Sequence, residues 1–305
     1  MRQRVLVGSR GSALALAQAN EVIKTLRDRA PNLTCQVVAI KTKGDKLHES
    51  GESTLEGKSV FTKEIEDSLL NGEIQIAVHS MKDLTTDLPS GLTIAAVPRR
   101  ADHRDALISR NNRKLEELPA GARVGTSSPR RRTQLLAARN DLEVADVQGN
   151  VNTRLRKLDK GSYDTIVLAA AGLARLGLEK RVTEFLSTKI MLPAIGQGAL
   201  AIEARKDDAE TLQLLSRLED KSTHRAVEAE RAFARRLGAN CRTPIAAYAK
   251  AQDGKLAIEG MVSSADGRML LRSQLVSDNV DPEKVGEELA ESLLRKGAQF
   301  VLEAE

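Results

Sequence analysis

Aromatic side chains are nearly absent: the sequence has no Trp, 2 Tyr and 4 Phe. Its hydrophobic cores are therefore aliphatic, and a site that stacks many bases on aromatic platforms is excluded. Cysteine is equally scarce, and Cys35 and Cys241 cannot build a disulfide framework or a zinc site. The 4 His show no metal-ligand spacing of the His-Glu-x-x-His kind. A long apolar run is missing too. Met1-Arg2-Gln3-Arg4 leads directly into Val5-Leu6-Val7-Gly8, with nothing of the length of a signal peptide or a membrane span. A cytoplasmic location and no membrane partner are expected. The excess of one charge sign is small, 47 Lys and Arg against 42 Asp and Glu, a net charge of +5. That surplus suits an anionic ligand and is weak support for nucleic acid.

What is present is ordinary for a soluble globular chain. Hydrophobic residues make up 41% and charged residues 29% of 305 residues. Such a chain builds real cores and divides into two or three domains, at roughly 100–200 residues each.

Periodicity gives a βα alternation. Short apolar runs at 4–7, 35–40, 74–78 and 92–97 read as strands, with helices over 12–29 and 60–70. Ser12 is placed to cap the first helix. Residues 42–59 are polar and aperiodic, the signature of a lid or binding loop. After the charged break Arg99-Arg100-Ala101-Asp102-His103-Arg104 the alternation restarts, with strands at 123–125, 144–147 and 165–170 and helices at 129–139 and 151–158. Ser128 is an N-cap candidate before Pro129. Another strand spans 199–204. Apolar strands alternating with helices predict an α/β fold with mainly parallel sheets. Beyond about Lys221 the pattern changes to a helix (223–236), three strand-like runs (245–249, 256–262, 269–276) punctuated by Asp253-Gly254 and Asp266-Gly267, and a closing helix (282–296). This predicts a separate α+β domain with an antiparallel sheet.

Several clusters could carry chemistry. Gly51…Gly57-Lys58-Ser59 is not a phosphate loop, because five residues separate its glycines where that loop needs four. Arg130-Arg131-Arg132 sits in the first turn of a helix, where basic residues oppose the dipole. With Gly125-Thr126-Ser127-Ser128 it can form a cradle for carboxylate or phosphate, or simply be a solvated charged face. Gly149-Asn150-Val151-Asn152-Thr153-Arg154 repeats the glycine-turn-to-helix theme. His79-Ser80-Met81-Lys82-Asp83 ends an apolar strand, where ligands sit in open α/β sheets. Cys241, in a glycine- and arginine-flanked loop, is either an activated thiol or a small buried residue, and Cys35 reads as the latter.

Taken together these segments resemble the porphobilinogen deaminase (hydroxymethylbilane synthase) family. The matching residues are Gly8-Ser9-Arg10-Gly11-Ser12 through Gln18, Lys58 with Phe61-Thr62-Lys63-Glu64, and Ile76 through Asp83. Gly125 through Ser128 with its arginines, Gly149-Asn150 with Thr153-Arg154, and Ala171-Gly172-Leu173 with Arg175 follow. Leu192-Pro193 through Gln197-Gly198 and Cys241-Arg242-Thr243-Pro244 complete the series, which keeps family order over essentially the whole chain.

The resemblance implies two lobes like those of periplasmic binding proteins, residues 1–98 with 199–217 and residues 104–192, plus a small α+β domain at 221–305. It implies condensation of four porphobilinogen molecules into the linear tetrapyrrole hydroxymethylbilane, one ammonia leaving per unit. It also implies a dipyrromethane cofactor held by a thioether to Cys241. Asp83 is then the catalytic carboxylate, which would stabilise the cationic azafulvene and assist proton transfer. Lys82, Ser80, Thr126, Ser127, Ser128, Arg130, Arg131, Arg154 and Gln148 would hold the cofactor. Arg10, Ser12, Arg175, Phe61, Gln197 and Lys58 would meet the substrate, under a mobile loop at 43–59. Guanidinium forks suit substrates rich in carboxylates. The expected partner is the small-molecule substrate alone, without metal or nucleic acid, and the protein is expected to be a monomer.

One departure matters. Gln148 stands where the family motif Arg-Gly-Asn-x-x-Thr-Arg begins with arginine, and it removes a charge worth about 1–3 kcal/mol to a bound carboxylate. Weaker cofactor assembly or chain elongation is the expectation. Glu56 and Ser59, where the family loop carries glycines, are smaller departures. A non-catalytic carboxylate-binding protein on the same scaffold is the main alternative. Such a module needs neither a carboxylate at Asp83 nor a tether at Cys241. A nucleic-acid binder using Arg130–Arg132 is the other, and it requires salt-sensitive association.

Overall fold

A computed structural model describes residues 4–45, 58–239, 243–278 and 281–303. The chain divides into two compact units, Met1–Arg100 with Ala199–His224, and Ala101–Gly198 with Arg225–Glu305.

In chain order the first unit lays down β1 (Arg4–Arg10), α1 (Ala13–Arg29), β2 (Thr34–Ile40), α2 (Lys63–Leu70), β3 (Ile76–Ser80) and β4 (Leu92–Ala96). The second supplies β5 (Asp105–Ser109), β6 (Arg123–Gly125), α3 (Pro129–Ala138), β7 (Glu143–Ala145), α4 (Val151–Asp159), β8 (Thr165–Ala169), α5 (Ala170–Arg175) and β9 (Glu184–Leu186). The chain then returns to the first unit as β10 (Leu200–Arg205) and α6 (Ala209–Leu215), and α7 (Lys221–Arg236) follows. It ends with β11 (Ile245–Gln252), β12 (Lys255–Ser263), β13 (Leu270–Ser277), α8 (Pro282–Arg295) and α9 (Ala298–Glu303).

The first sheet has the order β2-β1-β3-β10-β4 and the second β7-β6-β8-β5-β9. In each, four of the five strands run one way, and the fourth in spatial order, β10 or β5, runs against them. The third sheet, β11-β12-β13, is antiparallel throughout. The fold is therefore mixed α/β: two five-stranded sheets of mainly parallel strands and a small C-terminal α+β part.

Period-two alternation explains how the first sheet is covered on both faces. Val5, Val7, Ile76, Val78 and Ile202 point to one core, which includes Leu26 of α1. Ala77 faces the other way, towards Ile65 and Leu69 of α2. The second sheet does the same, with Ala106, Ile108, Ile166 and Leu168 on one side. Leu107, Val124 and Val167 lie with Leu135 of α3 on the other. The helix expected from residue 60 starts at Lys63, because Lys58–Phe61 forms a tighter helical turn ahead of it.

Within the second unit, the C-terminal sheet is tied to the segment after β9. The buried Glu230 carboxylate accepts from the Gly196 amide (2.6 Å) and the Ala249 amide (2.8 Å). Arg272 donates to the Thr188 carbonyl at 2.8 Å. Among the described residues, no helix is long and apolar enough to cross a membrane.

Candidate active site

In the first unit the strand ends converge on a small cavity of about 60 Å³, whose lining includes Arg10, Ser12, Phe61, His79, Ser80 and Asp83. Arg10 is the last residue of β1, and its Nε and Nη2 donate to the Asp45 carboxylate, the Nε contact being 3.1 Å. Its guanidinium also lies over the Phe61 ring, 4.4 Å from the centroid. The Thr42 hydroxyl donates to the same carboxylate at 2.8 Å. Burial alone would raise the Asp45 carboxyl, but the Arg10 and Thr42 hydrogen bonds and the Arg10 charge outweigh it and hold it below its ordinary value. Arg10 is thus a fixed cation, and an incoming carboxylate must compete with Asp45.

Ser12 caps α1 by accepting from the Ala15 amide at 3.3 Å. Ser80 ends β3 and accepts from Gln18 Nε2 at 2.8 Å. Lys82 and Asp83 follow in the helical turn Met81–Asp83, which the Met81 amide ties to the Ala199 carbonyl beside β10 (3.0 Å). Asp83 is exposed at the cavity. Lys58 opens the turn Lys58–Phe61.

In the second unit, Thr126, Ser127 and Ser128 form the approach to α3. Ser128 caps the helix by accepting from the Arg131 amide. The Ser127 hydroxyl donates to the Val147 carbonyl at 2.8 Å and accepts from the Val147 amide at 3.0 Å. The Thr126 amide donates to the Ala145 carbonyl at 2.9 Å.

Arg130 and Arg131 turn inward and are buried, against the reading of this turn as a solvated charged face. Arg130 Nη1 donates to Asp105 Oδ2 (2.8 Å) and to the Leu192 carbonyl (2.7 Å). Arg131 donates to Asp105 Oδ1 through Nε (3.0 Å) and Nη2 (2.7 Å), and to the Val167 carbonyl through Nη1 (2.9 Å). Gln197, also buried, donates from Nε2 to the His103 carbonyl (2.8 Å) and to Asp105 Oδ1 (3.1 Å). Asp105 is fully buried; burial would raise its carboxyl, yet the two guanidinium groups hold it far below the usual range. Three expected site residues therefore meet on one carboxylate that sequence reasoning missed. The only hint was an acid opening an apolar run directly after a charged break.

Arg154 differs. Its Nε donates to the Gly149 carbonyl at 2.8 Å, and among the described residues it has no ion-pair partner. Burial first, and then the like charge of Arg131, pull it down to about 10. A desolvated guanidinium without a counter-ion is what a bound anionic group would satisfy. The residues present in this unit thus fit a cofactor bearing carboxylates. Gly149, at φ +107, makes the close turn that this needs; a Cβ there would lie 2.6 Å from Thr153 Cγ2. Gln148 is exposed, and its carbonyl accepts from Lys157 Nζ at 3.2 Å. Arg175 Nη2 donates to the Gly198 carbonyl at 3.3 Å, next to Gln197. Cys241 and residues 46–57 of the expected loop lie outside the described residues. Among the described residues, no group of His, Cys, Asp and Glu is arranged to hold a metal ion.

Two family models match the chain: "Porphobilinogen deaminase, dipyromethane cofactor binding domain" over residues 5–213 and "Porphobilinogen deaminase, C-terminal domain" over residues 224–295. Among curated relatives, the porphobilinogen deaminase of Desulforudis audaxviator is 51% identical over 99% of this chain and 98% of its own. That of Syntrophus aciditrophicus is 47% identical over 97% of both chains. The Brevibacillus brevis protein is 46% identical over 97% of this chain and 96% of its own. Among solved structures, a nutrient binding protein from Burkholderia cenocepacia bound to methionine is similar with a TM-score of 0.44 at 13% identity, over 71% of this chain and 92% of that one. With both models matched and such identity over nearly its full length, this chain belongs to the porphobilinogen deaminase family.

Proposed function

We propose that the protein condenses four porphobilinogen molecules head to tail into hydroxymethylbilane, releasing four ammonia, primed by a dipyrromethane on Cys241. The observation that carries this reading is the first unit's cavity, where Asp83 is exposed on a wall shared with the fixed cation Arg10, the Phe61 ring and the hydroxyls of Ser12 and Ser80. A pure carboxylate-binding site has no use for an acid there.

In this reading Asp83 accepts hydrogen bonds from pyrrole N–H groups and stabilises the positive charge that develops on the substrate as ammonia leaves. It also holds or accepts a proton as the ring recovers. Arg10 and Arg175 orient the substrate's acetate and propionate, with Phe61, Ser12, Gln197 and Lys58 completing the contacts. Arg154, Arg130, Arg131 and Lys82, with the donors Ser80, Thr126, Ser127 and Ser128, hold the cofactor's carboxylates. Gln148 adds an uncharged donor. The dipyrromethane supplies, when bound, the free pyrrole carbon from which the chain is extended. Asp105 keeps Arg130 and Arg131 aligned and balances one of their two charges, so one positive charge of that pair and the charge of Arg154 remain for the cofactor's carboxylates.

The proposal keeps three domains, one for each sheet, and a monomer working in the cytoplasm. The free, buried thiol of Cys35 suits a reducing compartment.

The deciding experiment is the intact mass of the denatured protein, mapped to peptides, with porphobilinogen consumption measured in parallel. An excess of two porphobilinogens less two ammonias on the Cys241 peptide, with consumption, is expected. An unmodified chain that binds porphobilinogen without consuming it would overturn the reading in favour of a binding protein. Gln148→Arg is expected to raise cofactor occupancy or turnover, and no change in either removes the role given to that position.

A further inference from the structure

On the face of the first sheet that α2 covers, three ionisable side chains lie buried together. His79 of β3 pairs with Ala201, and Glu203 of β10 pairs with Ala77, so the two are diagonal neighbours on one face. His79 Nε2 lies 3.1 Å from Glu203 Oε2. Glu203 is fully buried and His79 is 6% exposed. Among the described residues, neither Glu203 oxygen accepts a hydrogen bond, so the imidazole contact is one of charge and distance alone. Glu66 is buried on α2, and one of its oxygens likewise accepts none.

Buried polar atoms are nearly always hydrogen-bonded, and three orphaned carboxylate oxygens in one place need a reason. Two buried carboxyl groups and an imidazole are neutral as a set only with at least one carboxyl un-ionised: imidazolium with one carboxylate and one carboxylic acid, or imidazole with two carboxylic acids. The 3.1 Å contact of His79 with Glu203 suits the first, with Glu66 as the acid. Burial raises the Glu66 carboxyl; Thr62 opposes this, the nearby Glu203 charge adds to it, and His79 opposes it. His79 and Thr62 also line the cavity that exposes Asp83, and His79 precedes the turn carrying it.

We propose that His79, Glu203 and Glu66 form a buried proton-holding cluster beneath the Asp83 cavity, and that His79 is a positioning residue acting on the reaction through the charge the cluster presents to Asp83. This rests on the functional reading above. The charged groups around His79 are Glu203 from β10, Glu66 and then Asp67 from α2, Asp83 from the following turn, and Arg10 at the end of β1. Arg10 is already matched by Asp45. The protonation of the cluster therefore decides the charge balance of the cavity.

The test uses the holoenzyme. Porphobilinogen consumption is followed against pH for the wild type, Glu66→Gln, Glu203→Gln and His79→Gln. Glu203→Gln removes the carboxylate that faces His79 and moves the acidic limb to lower pH by about one unit, His79→Gln moves it to higher pH, and Glu66→Gln, which replaces the un-ionised member, leaves it in place. Acidic limbs left in place in both Glu203→Gln and His79→Gln, with only uniform losses of rate, would overturn the proposal in favour of a structural role. Infrared spectra just above the ordinary carboxylate range supply a readout that needs no turnover. The carbonyl band of an un-ionised carboxylic acid is expected in the wild type and is lost in Glu66→Gln; a wild type without that band overturns the cluster. Should Glu203→Gln fail to fold, His79→Gln carries the pH measurement and Glu66→Gln the infrared one. A wild type that consumes no porphobilinogen counts against the functional reading, and the infrared result still decides the cluster.

Discussion

In the first five-stranded sheet the reversed strand β10 carries Glu203; in the second, the reversed strand β5 opens on Asp105. Both acids are fully buried within one strand order. Asp105 accepts from two guanidinium groups and an amide. Glu203 faces an imidazole and accepts no hydrogen bond among the described residues. Permanent cations make the first arrangement independent of pH, because arginine does not titrate in the working range. A histidine, unlike an arginine, is not a permanent cation. The same topology therefore offers either a fixed charge or an adjustable one, according to the side chain that meets the acid.

The largest test of this contrast is Asp105→Asn. It leaves two buried guanidinium groups with no carboxylate, and a loss of about 3–5 kcal/mol in urea unfolding at neutral pH is expected. Glu203→Gln, measured alongside, should lose much less, because no hydrogen bond is broken. Next comes Arg154→Gln. Removing a charge-assisted contact of about 1.5–3 kcal/mol should lower cofactor retention and turnover by roughly 10–100-fold, read from the mass of the Cys241 peptide and from initial rates. Unfolding should barely change, since Arg154 has no ion pair to lose among the described residues. Smaller again are Ser12→Ala and Ser128→Ala, each removing a helix cap and each expected to cost about 1 kcal/mol in thermal unfolding. Unequal losses would show that one cap does more than close its helix.

The last effect is a slope. The folded-state value of Glu66 is raised, so its contribution to stability is present below the unfolded carboxylate value and is lost as pH rises through the folded one. Unfolding measured across that window should show stability falling with pH in the wild type and a flatter profile in Glu66→Gln.

Much of this was legible in the sequence. The helix caps at Ser12 and Ser128 were visible from residue type and the periodicity that follows. The antiparallel C-terminal sheet followed from its Asp-Gly turns. What escaped was long-range pairing. β5 opens on an acid directly after a charged run and reads as a break until Arg130 and Arg131 are known to cover it. β9 has three residues, too few to show alternation. Asp45 and Glu203 carry no signal of their own in the sequence, because their partners Arg10 and His79 lie far along the chain. The entry of β10 into the first sheet came from the family resemblance and not from pattern, since nothing local distinguishes a strand that pairs with its neighbours from one that goes back.

That return has a consequence during synthesis. β10 pairs with both β3 and β4, and these two have no common neighbour without it. About 100 residues separate β4 from β10, so at ribosomal speed the emerging chain holds two open strand edges for roughly 5–20 s. The second sheet waits about half as long, because β8, which joins β6 to β5, begins about 55 residues after β5 ends. Of the two five-stranded sheets, the one begun first is therefore the last to close, and a messenger truncated before residue 200 would yield a finished second sheet attached to an aggregation-prone first one.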